Sequence, residues 1–384
     1  MSKMIPLSEP RLNGKEWTYV KDCLDTGWVS TAGKYVERLE NKISSYTKCK
    51  YAVAVNSGTS ALQIALQLVG VGEDDEVIVP TVTFIAPVNA IRYHRAYPVF
   101  MDCDDYYNID VEKTTDFILK ETVFKNGFSI NRSTKRKVKA VLPVHVFGNA
   151  AKLHELTKLC RKRNIKIVED ATESLGTFYK TGEHSGTLGD VGCLSFNGNK
   201  IITAGGGGMI LTNTQKYAQR AHYWTTQAKD DALRYIHNDI GFNFRLNNLQ
   251  AAMGVAQLES LSQILKVKKR NYECYKKLID SLEGLRLADA PDYAHNNYWM
   301  YALQLEKKTY GCDKEALLSR LNDAGIQSRP LWYLNHLQKP FKKCQAYHIK
   351  KAKKMLDITL NIPCSATLKQ EHIKRIGQFL ENKK

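Results

Sequence analysis

The sequence predicts an α/β protein: a mostly parallel central sheet with helices on both faces, followed by a smaller C-terminal α+β unit. Two observations carry this. From about residue 35 to 215, short and continuously apolar segments alternate with helix-like ones, the pattern of parallel strands buried on both faces. From residue 247 to 281 a long helical stretch follows, with a strand-like and then a helix-like segment beyond it. The expected division is a large domain at 1–255 and a small one at 256–384, a reasonable partition for 384 residues.

The expected strands come in order. Residues 51–55 (Tyr-Ala-Val-Ala-Val) form the first, followed by a turn and a helix over 61–68. Residues 76–80 form the second, with a helix beginning near Ile85, and residues 96–102 the third. Residues 139–144, 165–170 and 191–196 are the fourth, fifth and sixth. In the C-terminal unit, residues 297–305 read as a strand and 314–323 as a helix. Ligands of such sheets sit beyond the carboxyl ends of the strands. That gives priority to the polar residues following each strand: Asn56 to Ser60, Thr81 to Phe84, His145, Asp170 and Ser195.

Composition narrows the class. Hydrophobic content is 43%, ordinary for a globular chain, and no apolar run approaches the roughly 20 residues of a membrane helix. The opening Met1-Ser2-Lys3-Met4-Ile5-Pro6 lacks the apolar stretch of a signal peptide, so the expected location is cytoplasmic. Nine scattered cysteines without a CxxC pair suit neither a disulfide framework nor a zinc site, and no metal is expected. The net charge of +17 favours acidic partners such as a phosphorylated ligand. The lysines are dispersed and no nucleic-acid-binding signature accompanies them, so neither nucleic acid nor membrane is an expected partner.

Lys200 stands out. It follows Ser195-Phe196-Asn197-Gly198-Asn199 and precedes Ile201-Ile202-Thr203-Ala204 and the glycines 205–208. Glycines let a backbone approach a ligand closely, and a lysine amine in such a place can form a Schiff base with a carbonyl; taken alone, a lysine is far more often a solvated surface charge. Asn56-Ser57-Gly58-Thr59-Ser60-Ala61 is a strand-to-helix turn whose backbone N–H groups suit a phosphate, or whose hydroxyls merely cap the helix. Asp170 ends a very apolar strand, where a carboxylate is costly unless paired; it pairs with a cationic ring nitrogen or caps the next helix. Phe84 stacks on a flat ring or packs in the core.

A phosphate cradle, a stacking aromatic, a buried aspartate and a lysine are the parts pyridoxal phosphate requires. In order and spacing the chain resembles the fold-type I aminotransferases, specifically the DegT/DnrJ/EryC1/StrS family that aminates nucleotide-linked keto sugars. The matching segments run from Ile5-Pro6-Leu7-Ser8-Glu9-Pro10 through Gly27-Trp28-Val29-Ser30, Pro143-Val144-His145-Val146-Phe147-Gly148 and Glu169-Asp170-Ala171. They continue with Ser195 to Lys200, Gly241-Phe242-Asn243-Phe244-Arg245-Leu246 and Ser328-Arg329-Pro330.

The resemblance implies roles. Lys200 would carry the Schiff base and move the substrate proton, and Asp170 would pair with the pyridine nitrogen. Phe84 would stack on the ring. Gly58, Thr59, Ser60 and Ser195 would hold the phosphate. Asn243 would reach the cofactor of a second subunit, making a homodimer obligatory, although a turn residue bonded locally is the alternative. Glu173 stands where many relatives carry Gln, and Asn197 where relatives often have an aromatic or His. Both are expected at the site with roles open. Lys229 and Arg245 are candidate contacts for the substrate diphosphate, Arg329 would bind the donor carboxylate or pack structurally, and Trp28 and Tyr298 would line the sugar pocket or serve domain packing. The likeness is greatest to the 4-aminotransferases of legionaminic-acid and bacillosamine pathways. It implies a UDP-linked 4-keto-6-deoxy-N-acetylhexosamine as acceptor and L-glutamate as donor, with GDP- and dTDP-linked sugars as competitors. Relatives with His at the lysine position are dehydratases; Lys200 favours amination. A cofactor-binding regulator that contacts nucleic acid is a reading of another class, and no helix-turn-helix is evident to support it.

Overall fold

The structure is a computed structural model that describes residues 4–12 and 14–382; Met1 to Lys3 of the opening segment lie outside the described residues. Alternating burial builds the large domain. Its strands are β1 (Tyr51–Val55), β2 (Glu76–Pro80), β3 (Tyr97–Met101), β4 (Val138–Val141), β5 (Lys166–Asp170), β6 (Val191–Ser195) and β7 (Gly208–Thr212). Along β1, Val53 and Val55 pack on one face and Ala54 on the other. Along β7, Ile210 faces one side while Met209 and Leu211 face the other. Two apolar faces need two layers of cover. The helices α3 (Gly58–Leu68) and α4 (Ile85–Tyr93) supply one layer. On the other, α2 (Lys34–Thr47) contributes Leu39 and Ile43; α1 (Glu16–Asp25) precedes it.

The sheet order is β1-β7-β6-β5-β4-β2-β3, with a short edge strand, residues 346–347, beyond β3. From β6 to that edge the strands are parallel. The exception is β7, antiparallel to both β1 and β6. The glycine run hides β7 from the sequence, because Gly208 is its first residue. That glycine permits a close approach: a Cβ there would lie 2.6 Å from the Ser57 carbonyl oxygen.

A single helix, α5 (Asn248–Ile279), spans roughly 48 Å and serves two cores. Its first half buries Ala251, Ala252, Val255 and Leu261 against the large domain. Its second half buries Tyr272, Tyr275 and Ile279 against Leu303, Leu305, Leu360 and Ile362. The small antiparallel sheet runs Leu285–Leu287, Tyr301–Leu305, Thr359–Ile362, Arg329–Pro330. Ile5 joins this small core, whereas Phe341, Ala352 and Met355 return to the large one.

Several expectations shift. The helix after β1, α3, begins at Gly58 rather than Ala61, because Ser57 caps it by accepting from the Ser60 N–H at 3.0 Å. The strand expected over 297–305 begins only at Tyr301. Tyr298 has φ +54°, and the Asn297 amide donates to the carbonyls of Glu173 and Leu175 (2.8 and 3.0 Å), so 297–300 is a connection between domains. A hairpin at Thr122–Lys125 and Phe128–Asn131 escapes the sequence reading.

Gly148 shows how tightly that connection is packed. Its φ is +86°, and a Cβ there would collide with Asn297 Oδ1. Gly148→Ala is therefore expected to destabilise the protein by at least about 2 kcal/mol, read as a fall in the urea unfolding midpoint without a change in slope.

Candidate active site

The carboxyl ends of β1, β5 and β6 and the start of α3 converge on a cavity of about 730 Å³. Gly58, Thr59, Phe84, Asp170, Glu173, Ser195, Asn197, Lys200 and Arg329, all picked out by sequence, line it.

At one end lies the N-terminus of α3. In this first turn the N–H groups of Gly58 and Thr59 have no helical carbonyl to reach, and the helix dipole adds positive potential. The Ser57 and Ser60 hydroxyls are committed to the turn itself. They lie 2.9 Å apart, and Ser60 donates to Asn56 Oδ1 at 2.7 Å. Ser60 accordingly contributes turn geometry and is absent from the cavity wall. Gly58 has no room for a side chain, since a Cβ would stand 2.9 Å from that of Ser195. Backbone N–H groups and the hydroxyls of Thr59 and Ser195 are donors suited to an anion at this end of the cavity.

Asp170 is buried. Its Oδ1 accepts from the Thr172 N–H at 3.0 Å. Desolvation pushes its pKa up, opposed by hydrogen bonds from Thr172 and by the charge of Lys200. A cation brought against this carboxylate restores its charged form. Phe84 is an apolar ring left 54% exposed on the cavity wall, where a flat ligand would cover it. A phosphate cradle, a desolvated carboxylate, an uncovered aromatic and a lysine share one cavity, so the residues present fit pyridoxal phosphate.

Lys200 sits in a turn closed by its own N–H on Asn197 O at 3.0 Å. Trp299 holds that turn by donating its indole N–H to Asn199 O at 2.7 Å. The Lys200 Nζ lies 4.3 Å from the same indole ring. Glu173 Oε1 is 3.8 Å from Nζ, while Oε2 accepts from the Phe147 N–H at 2.9 Å. Phe147 adopts φ +59°, uncommon and strained for a bulky residue. Its ring is wedged between Tyr107 and Trp332, at 5.1 and 5.3 Å. Packing thus maintains a strained backbone whose N–H fixes Glu173.

Behind the site, His145 is fully buried. Its Nδ1 accepts from the Ala151 N–H, so Nε2 carries the proton and donates to Glu169 Oε2 at 2.9 Å. Glu169 also accepts from Gly186 and Gly189. Both side chains serve the scaffold under β5.

The remaining candidates lie outside this cavity. Arg245 forks onto both oxygens of Glu40 and onto Ala54 O. Tyr298 packs on Tyr272, with ring centres 4.6 Å apart. Lys229 lies over Tyr235 in a two-stranded excursion. Trp28 is 58% exposed, and Asn243 is exposed next to Asn56. Trp299, Trp332, Tyr333 and Asn361 line the cavity and were not singled out from sequence. The one available signal was the aromatic density of Tyr298-Trp299 and Trp332-Tyr333. Asn335, also missed, donates to Thr81 O and Thr83 O and so sets the loop that carries Phe84.

Residues 10–381 match the DegT/DnrJ/EryC1/StrS aminotransferase family, and the chain belongs to it. It is 35% identical over 386 residues to a GDP-perosamine synthase of Escherichia coli O157:H7, covering 99% of this chain and 100% of that one. A GDP-perosamine synthase of Caulobacter vibrioides is also 35% identical, covering 98% and 97%. A DegT DnrJ EryC1 StrS aminotransferase structure from Brucella abortus superposes with a TM-score of 0.86 at 25% identity, covering 95% and 94%. The chain is a pyridoxal-phosphate-dependent nucleotide-sugar aminotransferase. Among the described residues no helix is long and apolar enough to cross a membrane.

Burial pushes the Glu173 carboxyl up to about 7, opposed by Lys200 and the Phe147 N–H and reinforced by Asp170. Between about pH 4.5 and 7 the folded state therefore holds a proton that the unfolded chain has released. The stability this proton confers is complete below about pH 4.5 and is lost as pH rises through 7. The cofactor-free protein should lose up to about 3 kcal/mol from this group over that window. Glu173→Gln should flatten the dependence, checked by denaturant melts of both proteins from pH 5 to 8.

Proposed function

We propose that the enzyme transfers the amino group of L-glutamate to the keto carbon of a GDP-linked 4-keto-6-deoxy sugar. The observation that carries the reaction is the placing of the Lys200 amine, the Asp170 carboxylate and the N-terminus of α3 in one cavity. Pyridoxal phosphate, when bound, supplies the aldehyde that accepts the amine and the ring that holds the resulting charge. Gly58, Thr59 and Ser195 would bind its phosphate, Asp170 would pair with its ring nitrogen, and Phe84 would cover a ring face. Lys200 Nζ takes the proton from the donor's α-carbon and returns one to the sugar carbon in the second half-reaction. Trp299 holds the Lys200 turn. Glu173 keeps a proton-binding oxygen 3.8 Å from that amine.

Support for the nucleotide comes from the two 35%-identical relatives named GDP-perosamine synthases. They move the reading from the UDP-linked sugar expected from sequence to a GDP-linked one. The UDP-linked sugar is the second reading, favoured by the Asn197 to Thr203 run.

A homodimer is part of the proposal. Asn243 is exposed, and the excursion preceding it leaves Leu233, Tyr235 and Ile240 between 74% and 81% exposed. A second copy covering those side chains removes apolar surface from water and brings Asn243 toward the other cavity.

Lys200→Ala should retain cofactor without its covalent link and lose turnover by about 10²- to 10⁴-fold. Single-turnover assays of the amine-loaded wild type against GDP-, UDP- and dTDP-linked keto sugars should favour GDP; a faster reaction with UDP would reverse that choice. Mixing inactive Lys200→Ala and Asn243→Ala subunits should restore activity, because a mixed dimer holds one site with both residues intact. Absence of rescue would show that Asn243 serves no second site.

A further inference from the structure

Lys268 is a buried cation that the chemistry above does not employ. It lies in the second half of α5, is 4% exposed and has no carboxylate within ion-pair distance among the described residues. Burial pushes its pKa down. An ammonium taken out of water is unfavourable unless its protons are paired, and a methionine would fill the same space in the core without that penalty. What the Lys268 Nζ holds is two backbone carbonyls, Trp299 O at 2.9 Å and Cys364 O at 2.6 Å.

Both carbonyls lead to the turn that carries Lys200. The Trp299 backbone is fixed on its amide side by Asn297 Oδ1, which accepts its N–H at 2.9 Å, and on its carbonyl side by Lys268. With both peptide groups held, the direction of the side chain is set. That side chain donates its indole N–H to Asn199 O at 2.7 Å and lies 4.3 Å from the Lys200 Nζ. Cys364 donates its N–H to Leu7 O at 2.8 Å, and the neighbouring Ser8 hydroxyl donates to the same Asn199 O at 3.4 Å. The carbonyl before Lys200 is thus approached from two sides, and Lys268 ties both approaches to one helix. Lys268 is itself held, because the Tyr301 hydroxyl donates to its carbonyl at 2.7 Å. Lys268 and Lys200 also line one small pocket of about 20 Å³ behind the turn.

We propose that Lys268 is a positioning residue for Lys200. By anchoring the carbonyls of Trp299 and Cys364 it keeps the indole and Ser8 on Asn199 O, and so keeps the amine aimed at the carbon whose proton it takes. This rests on the aminotransferase reading of the cavity. Asp170 and the first turn of α3 have supports of their own, so the effect falls on proton transfer and not on cofactor binding.

The experiment follows the first half-reaction of the cofactor-loaded enzyme in a single turnover, by cofactor absorbance, with L-glutamate and with L-glutamate deuterated at the α-carbon. A first-order rate constant of this kind does not depend on how much of the protein is folded. Lys268→Met keeps the apolar stem and removes the donors. It should slow the step by about tenfold or more, with the deuterated donor slower again by about threefold. Lys268→Arg, which keeps a cation and its donors, should recover most of the rate. Hydrogen exchange of the loaded proteins gives a second readout: the Lys200 and Ala204 amides should exchange about fivefold faster in Lys268→Met, with α3 unchanged. A Lys268→Met rate within about twofold of wild type overturns the proposal. So does an equal slowing in Tyr301→Phe, which breaks a buried hydrogen bond in the same core and leaves both Nζ bonds in place. Should Lys268→Met not fold, Trp299→Phe carries the test by removing the N–H on Asn199 O, and a wild-type rate there overturns the proposal. A wild type that shows no absorbance change with L-glutamate defeats the choice of donor, a failure separate from that of Lys268.

Discussion

The buried amide of Asn297 is the contact on which the site depends. It donates to the carbonyls of Glu173 and Leu175 in the loop after β5, and it accepts from the Trp299 N–H at 2.9 Å. One side chain thereby joins the loop bearing Glu173 to the segment bearing the indole that holds the Lys200 turn. An amide can do this because it has two donors and an acceptor in one plane. In a buried place, losing one partner leaves others unsatisfied, so the arrangement is all-or-none. Gly148 belongs to the same constraint, since only a residue without Cβ leaves room for Asn297.

The candidate catalytic groups differ in how the backbone supports them. Asp170 and Ser195 are strand ends, anchored by the sheet ladder and by Glu169 and His145 beneath. Lys200 rests on a turn held by the Trp299 indole, by its own backbone bond and by the Ala204 N–H on Phe196 O, with Ser8 also donating to Asn199 O. The strained Phe147 adds a second fixed point, because a positive φ in a bulky residue persists only where packing enforces it.

The two-core helix α5 gives the small domain a rigid connection to the large one, so Arg329 and Asn361 approach the cavity from a wall that the large sheet does not supply. A site walled by two cores can present different chemistry to two successive substrates. One wall carries the N-terminus of α3, Asp170 and Lys200, and the other carries Arg329 and Asn361.

The sequence by itself determined the α/β class, six of the seven labelled strands, and a set of residues that meet in one cavity: Gly58, Thr59, Phe84, Asp170, Glu173, Ser195, Asn197, Lys200 and Arg329. These were legible because strand ends in a parallel sheet converge, so position along the chain reports position in space. Only the tertiary structure decided the rest. Arg245 and Tyr298 were as plausible as Arg329 in sequence, but Glu40 occupies one and Tyr272 the other. Trp299 and Asn335 act through partners 100 to 254 residues away, and Asn361 reaches the cavity only through the small-domain strand that carries it. Nothing local in the chain records an ion pair, a packed ring or an amide left without a partner, because those are properties of what folding brings alongside.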